Sequence, residues 1–225
     1  MTREVLTRQI KQLHDEVLLL GSMVEQATLN AIAALRNRDI NASRQVFDDD
    51  LSINEKRFAI ENAILITMST QQPMARDLRT LAAILEIITE LERMGDYAKG
   101  IAKVTMRLGD VDLPIPIREI EKMADLAIGM LHRSLSAFVI EDAKIASQIP
   151  AEDDAVDALY GEIYQDLVMK MIADPRLIVS INLVLWVAHN LERLADRVTN
   201  ICERTVFIAT GELMELDPTD DEDNE

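Results

Sequence analysis

Leu91-Glu92-Arg93-Met94-Gly95-Asp96 and Leu191-Glu192-Arg193-Leu194-Ala195-Asp196 are one six-residue phrase written twice, 100 positions apart. The register extends beyond the phrase. The same shift sets Arg76 on Arg176, Leu85 on Leu185, Ile101 on Ile201 and Thr105 on Thr205. Apolar positions 78, 81, 84 and 87 fall on 178, 181, 184 and 187, a spacing that puts them on one face of a helix. A shift of 103 places Asp50-x-x-Ile53-Asn54 on Asp153-x-x-Val156-Asp157. Two blocks repeated in the same order describe a chain made of two similar halves.

Helical periodicity runs through both halves and breaks at a few places. Arg38-Asp39 and Glu141-Asp142 are matching polar breaks, and Gln71-Gln72-Pro73 and Asp174-Pro175 are matching tight turns with a proline suited to a helix start. The stretch from Gly109 to Pro116 is the clearest linker. The breaks predict six helices, near 3–37, 40–70, 74–108, 117–140, 143–173 and 176–210. Short turns make consecutive helices antiparallel, so the expected fold is all-α, with two similar antiparallel three-helix bundles. The expected domains are 1–110 and 117–211, followed by an acidic disordered tail at 212–225. From Asp217 that tail carries six acids and no base, a composition that stays solvated.

Composition supports helices and removes several functional classes. Hydrophobic residues are 48% of the chain but aromatics only 4%, with seven glycines, which favours unbranched, helix-forming side chains over sheet. A single cysteine excludes a disulfide framework and a Cys-based metal site. A net charge of −17 would repel nucleic acid phosphates. The N-terminal MTREVLTRQI is too polar for a secretory signal, and the longest uncharged apolar run, Leu177 to Leu191, is 15 residues, short of a bilayer span. The expectation is a cytoplasmic protein without direct membrane insertion, reaching a membrane only through a partner.

The repeated phrase carries the chemistry. Glu92/Asp96 and Glu192/Asp196 are i,i+4 pairs, each projecting from one helix face beside the apolar stripe. Counting back from the turn at 174–175 puts Glu192 and Asp196 level with Asp157 and Asp153. Counting from Gln72 puts Glu92 and Asp96 near Asp48, Asp49, Asp50 and Asn54. Each half is thus expected to converge four oxygen-bearing side chains on one patch. Uncompensated, such a patch raises carboxylate pKa values and destabilises the fold. A hard or borderline cation such as Mg²⁺, Mn²⁺, Ca²⁺ or iron would compensate it, and so would a network of lysine and arginine salt bridges. Arg93 and Arg193 are sequence neighbours but sit roughly 100° around the helix from the preceding glutamate. Asn54, in place of an acid, makes the first patch the less charged one.

Other candidates are weighed against the same helical frame. His189, one turn before Glu192, is a possible ligand or phosphoryl acceptor as well as a partly buried structural residue. His14 and His132 lack an acidic partner at useful spacing. Cys202 takes the apolar position of Ala102 and reads as core. There is no Glu-x-x-His motif, no glycine-rich phosphate loop and no nucleophile–base pairing, so no catalytic residue is expected. Val179, Leu183 and Trp186 replace Arg79, Ala83 and Glu86, which makes the flank of the last helix apolar. That flank is expected to join the two bundles or to form a homodimer interface.

At these motifs the chain resembles the PhoU family of phosphate-uptake regulators. The resemblance rests on LERMGD and LERLAD, QQPMARDLR at 71–79, DPRLI at 174–178, GSMVEQAT at 21–28 and NICERT at 200–205, and covers nearly the whole chain. It implies metal ligands at Glu92, Asp96, Glu192 and Asp196, joined by Asp50, Asp153 and Asp157 from the second helices. Divalent or trivalent ions are implied as cofactors, whether iron, Mn, Mg or Zn. Asn54 and Ala195 depart from the family pattern. The implied role is regulatory: an adaptor linking a phosphate ABC transporter, through its ATPase, to a sensor histidine kinase. The alternative reading is a phosphotransfer or kinase-interacting bundle that works through His189.

Overall fold

The computed structural model describes residues 3–109, 113 and 115–216. Helix α1 runs Arg3–Asn37, α2 Ile40–Gln71 and α3 Arg76–Leu108. After the linker come α4 at Ile117–Ile140, a single turn α5 at Ala143–Ala146, α6 at Asp153–Ala173 and α7 at Ile178–Thr210. Short 3₁₀ turns at Pro150–Glu152 and Pro175–Leu177 lead into α6 and α7. Among the described residues there is no strand.

The repeat is visible in the corners. Arg38 (φ 52°) and Glu141 (φ 53°) both take left-handed backbone, and each is followed by an aspartate that caps the next helix. Asp39 accepts from the amides of Asn41 and Ala42, and Asp142 from those of Lys144 and Ile145. These side-chain acceptors satisfy amides that a helix start leaves without partners. The structure differs from expectation in the fifth helix. Residues 143–173 do not form one rod, because Pro150 has no N–H to donate and its ring collides with the preceding turn. Phe47 holds the equivalent place in α2, which is continuous.

Within the first half α1, α2 and α3 all pack on one another; in the second, α7 packs on α4, α5 and α6. The halves meet through α3 against α7 and α1 against α4. One core therefore runs through both bundles, from Val17 and Leu20 through Ile84 and Leu91 to Leu191 and Val198. At the α1–α4 contact a Cβ on Gly21 would stand 2.2 Å from Leu135 Cδ1, so glycine sets how closely these helices approach. Leu113 lies against the first corner, where Arg38 donates to its carbonyl at 2.8 Å.

Two expectations need restating against the fold. By length and composition α1, α4 and the segment Pro175–Thr210 are apolar enough to cross a membrane, although no uncharged run is. Between 39% and 50% of those apolar windows is buried, so one stripe of each helix serves the common core. On the α7 flank, Leu183 packs against the core, whereas Val179 and Trp186 stay 74% and 58% exposed. Trp186 stands at the rim of a groove where α7 meets Gly100 and Val104 of α3. The acidic tail from Asp217 onward lies outside the described residues. Before it, the Leu216 amide donates to Glu203 at 3.1 Å.

Candidate carboxylate centres

In the first half, Gly95 decides how α2 meets α3. A Cβ there would lie 3.1 Å from Ile53 Cγ2, so residue 95 is level with residue 53. That register is one helical turn away from the one counted at Gln72. Residues 72–75 are not helical and move the centre of the hairpin toward Met74. As a result Asp48 and Asp49 leave the patch: both are exposed, and Asp49 accepts from Gln45 at 2.7 Å.

Asp50 is buried, 3% exposed, and faces α3. Its Oδ2 lies 2.5 Å from the Lys99 ammonium and accepts from Asn54 Nδ2 at 3.1 Å. Its Oδ1 has no hydrogen-bond partner. Lys99 also stands 5.2 Å from the centre of the Phe47 ring, a distance at which a cation is attracted to the π face. The hydrogen bond to Asp50, with the charges of Asp50, Asp96 and Glu92 behind it, holds Lys99 above its ordinary pKa against the effect of burial. Burial raises the Glu92 pKa, with Asp96 and Asp50 adding to the effect, while Arg57 and Arg93 oppose it. Asp50, Asn54, Glu92 and Asp96 thus do share a patch, and Lys99 sits in its middle.

In the second half the register counted from 174–175 holds: the Tyr160 and His189 rings face one another at 6.3 Å. Asp153, 6% exposed, and Asp196 line a groove of about 270 Å³ with Arg193, Arg197, Thr199 and Asn200. Arg193 Nε reaches to 3.7 Å from Asp196 Oδ2, so this arginine does turn toward the acids. Arg93 turns the other way, to Glu90 at 3.1 Å. Glu192 Oε2 is 3.2 Å from His189 Nδ1. Asp157, one turn after Asp153, is exposed.

Among the described residues, no three Asp, Glu, His or Cys side chains come close enough together to hold a metal ion. The acids are gathered in each half, but as neighbours and pairs. As oxygen donors Asp153, Asp157, Glu192 and Asp196 are of the kind a hard cation takes, and Arg193 and Arg197 share the groove with two of them. In the first half the Lys99 ammonium stands against Asp50.

The remaining candidates fall into ordinary packing. Burial and the Arg193 charge lower the His189 pKa, and Trp186 meets its ring edge-on at 5.7 Å. His14 stacks obliquely on Phe138 at 4.8 Å, and burial lowers its pKa. His132 does find an acid, Glu25 of α1 at 3.5 Å, a partner too distant in sequence to be seen from spacing. Cys202 is fully buried, and burial pushes its thiol up to about 12.

A polar seam between the halves was not anticipated. Glu90, 9% exposed, accepts from Arg197 and from Asn200, each at 3.2 Å. Arg197 also donates to Tyr97 at 3.3 Å, and Arg204 pairs with Glu86 at 2.8 Å. The signal for Lys99 and this seam lay in the differences between the repeats, Lys99 against Thr199 and Glu90 against Asn190, rather than in their matches.

A chain of two three-helix repeats, each with acidic pairs facing its second helix, defines a class of duplicated helical proteins. The PhoU domain matches residues 17–105 and 120–205, once in each half. The chain is 34% identical over 217 residues to the phosphate-specific transport system accessory protein PhoU homolog of Clostridium acetobutylicum, covering 96% of this chain and 99% of that one. It superposes on the crystal structure of the phosphate transport system regulatory protein PhoU from Streptococcus pneumoniae with a TM-score of 0.86, at 30% identity, covering 93% of this chain and 99% of that one. PhoU from Pseudomonas aeruginosa gives the same TM-score at 28% identity over 92% of this chain and 99% of that one. The chain belongs to the PhoU family.

Proposed function

We propose that this protein is a cytoplasmic regulator of phosphate uptake and phosphate-starvation signalling, an adaptor between a phosphate ABC transporter, through its ATPase, and a sensor histidine kinase. The carrying observation is similarity along almost the whole chain to a protein named as an accessory of phosphate-specific transport. The acidic surface and the lack of a nucleophile–base pair support an adaptor over an enzyme. In this reading Asp153, Asp157, Glu192 and Asp196 hold a metal ion that neutralises the second patch, and that dressed face meets a partner. The ion supplies charge and rigidity, and the chain supplies its oxygen donors.

The test is complementation of a strain lacking its own PhoU-type regulator, read by a phosphate-starvation reporter, beside co-purification with the transporter ATPase and the kinase. Restored repression together with capture of both partners supports the adaptor. Repression without either partner overturns it.

A second reading has one observation in its favour. His189 Nδ1 stands 3.2 Å from Glu192 Oε2, a proximity that would suit phosphoryl transfer. Acid-labile phosphate that disappears in His189→Ala, with loss of repression, would select this reading. Full repression by His189→Ala selects the adaptor.

A further inference from the structure

We infer that Lys99 is the resident cation of the first carboxylate patch, so that this half is built to work without metal. The inference rests on the metal reading of the second half and limits it to that half. Its basis is a comparison of equivalent positions under the internal repeat. Around Glu92, Asp96 and Asp50 the first half places Asn54, Arg57 and Lys99; around Glu192, Asp196 and Asp153 the second places Asp157, Tyr160 and Thr199. Three carboxylates thus face two cations in one half, while the other half has a fourth carboxylate and neither cation at these positions.

The geometry follows that difference. Lys99 Nζ is 2.5 Å from the Oδ2 of an almost fully buried aspartate, and the aspartate's other near contact is the amide of Asn54. An ammonium so placed takes up the oxygen a metal would need first. Metal entry would have to expel it, leaving a lysine, 24% exposed, without its acid. Arg57 acts on Glu92 from the next turn of α2. In the second half Arg193 and Arg197 both line the groove with Asp153 and Asp196; Arg193 stands 3.7 Å from Asp196, and Arg197 donates to Glu90 and Tyr97. Arg93 cannot play that part in the first half, because Glu90 has drawn it away, whereas the position equivalent to Glu90 is Asn190.

The test uses the full chain, stripped with chelator and reloaded with Mn²⁺, read by elemental analysis and by the shift in melting temperature on loading. Wild type is compared with Glu92→Gln/Asp96→Asn, Glu192→Gln/Asp196→Asn and Lys99→Thr. The expected result is unchanged Mn²⁺ in the first double variant and loss in the second. Lys99→Thr should gain at least half an equivalent over wild type, and the gain should vanish when Glu92→Gln/Asp96→Asn is added. Loss of metal from Glu92→Gln/Asp96→Asn with Lys99 intact overturns the inference, and this arm does not require Lys99→Thr to fold. Second-half loading with no gain in a folded Lys99→Thr also overturns it, leaving the metal reading standing. No metal in any protein, Lys99→Thr included, removes both.

Discussion

At the scale of single residues, the first patch turns on one ion pair, and its pH dependence can be worked out. The Lys99 pKa is raised in the fold by the hydrogen bond to Asp50. A raised lysine gives stability that is fully present below its unfolded pKa and is lost as pH rises through the folded one. Lys99→Met should therefore cost about 3 kcal/mol at neutral pH, because it leaves a buried carboxylate without its counter-charge. Urea unfolding should show that gap closing only above the ordinary lysine range. Glu92 runs in the opposite direction. Its pKa is raised chiefly by burial, so its ionised form weakens the fold, and that loss sets in as pH rises through the carboxylate range. Glu92→Gln is expected to melt higher than wild type at pH 7, with the difference shrinking toward pH 3. A lower melting temperature at pH 7 would mean that Glu92 makes a net favourable contact with Lys99 or Arg57.

Among the elements, helix ends and close approaches carry the information. Asp39 and Asp142 cap equivalent corners, so the polar breaks seen in the sequence are built starts with left-handed residues before them. The proline that splits the fifth helix was just as visible, yet strong periodicity on both sides masked it. Gly21 shows the reverse case, a glycine inside α1 that looks like a weak point and is in fact a contact. Gly21→Ala would press a methyl into Leu135, so about 1–3 kcal/mol of destabilisation is expected from overpacking, read as a fall in denaturation midpoint. Pairing it with Leu135→Ala should recover part of the loss, since the second change removes the colliding Cδ1. The helices themselves were legible because their periodicity is local. The register of α2 on α3 was missed by one turn, since a four-residue connection has no periodicity to read.

For the whole molecule, the question is what holds the halves together and what they offer to others. The seam at Glu90, Arg197 and Asn200 is an ion and amide cluster between α3 and α7, close to the acidic patches. At the far end of the same helix pair, the positions equivalent to Glu90 and Asn200 are the uncharged Asn190 and Gly100, and Trp186 is left more than half exposed beside Gly100 and Val104. If that end closes against a second copy, Trp186→Glu should shift a dimer toward monomer in sedimentation velocity without lowering the melting temperature. Unchanged sedimentation would remove Trp186 from any self-interface.

The sequence by itself determined most of the helices, their duplication and the family, and it named the acids each half would draw on, because all of these follow from spacing along one chain. Only the tertiary structure decided which cation answers those acids. A lysine or arginine reaches several ångströms from its own helix, so its partner depends on how neighbouring helices are rotated and how far they slide. Lys99 lies on the same helix as Glu92 and Asp96, but its charge goes to Asp50 on α2 because Gly95 lets α2 approach at Ile53. The duplicated phrase made the two halves look alike; their packing, and the few positions where they differ, set them apart.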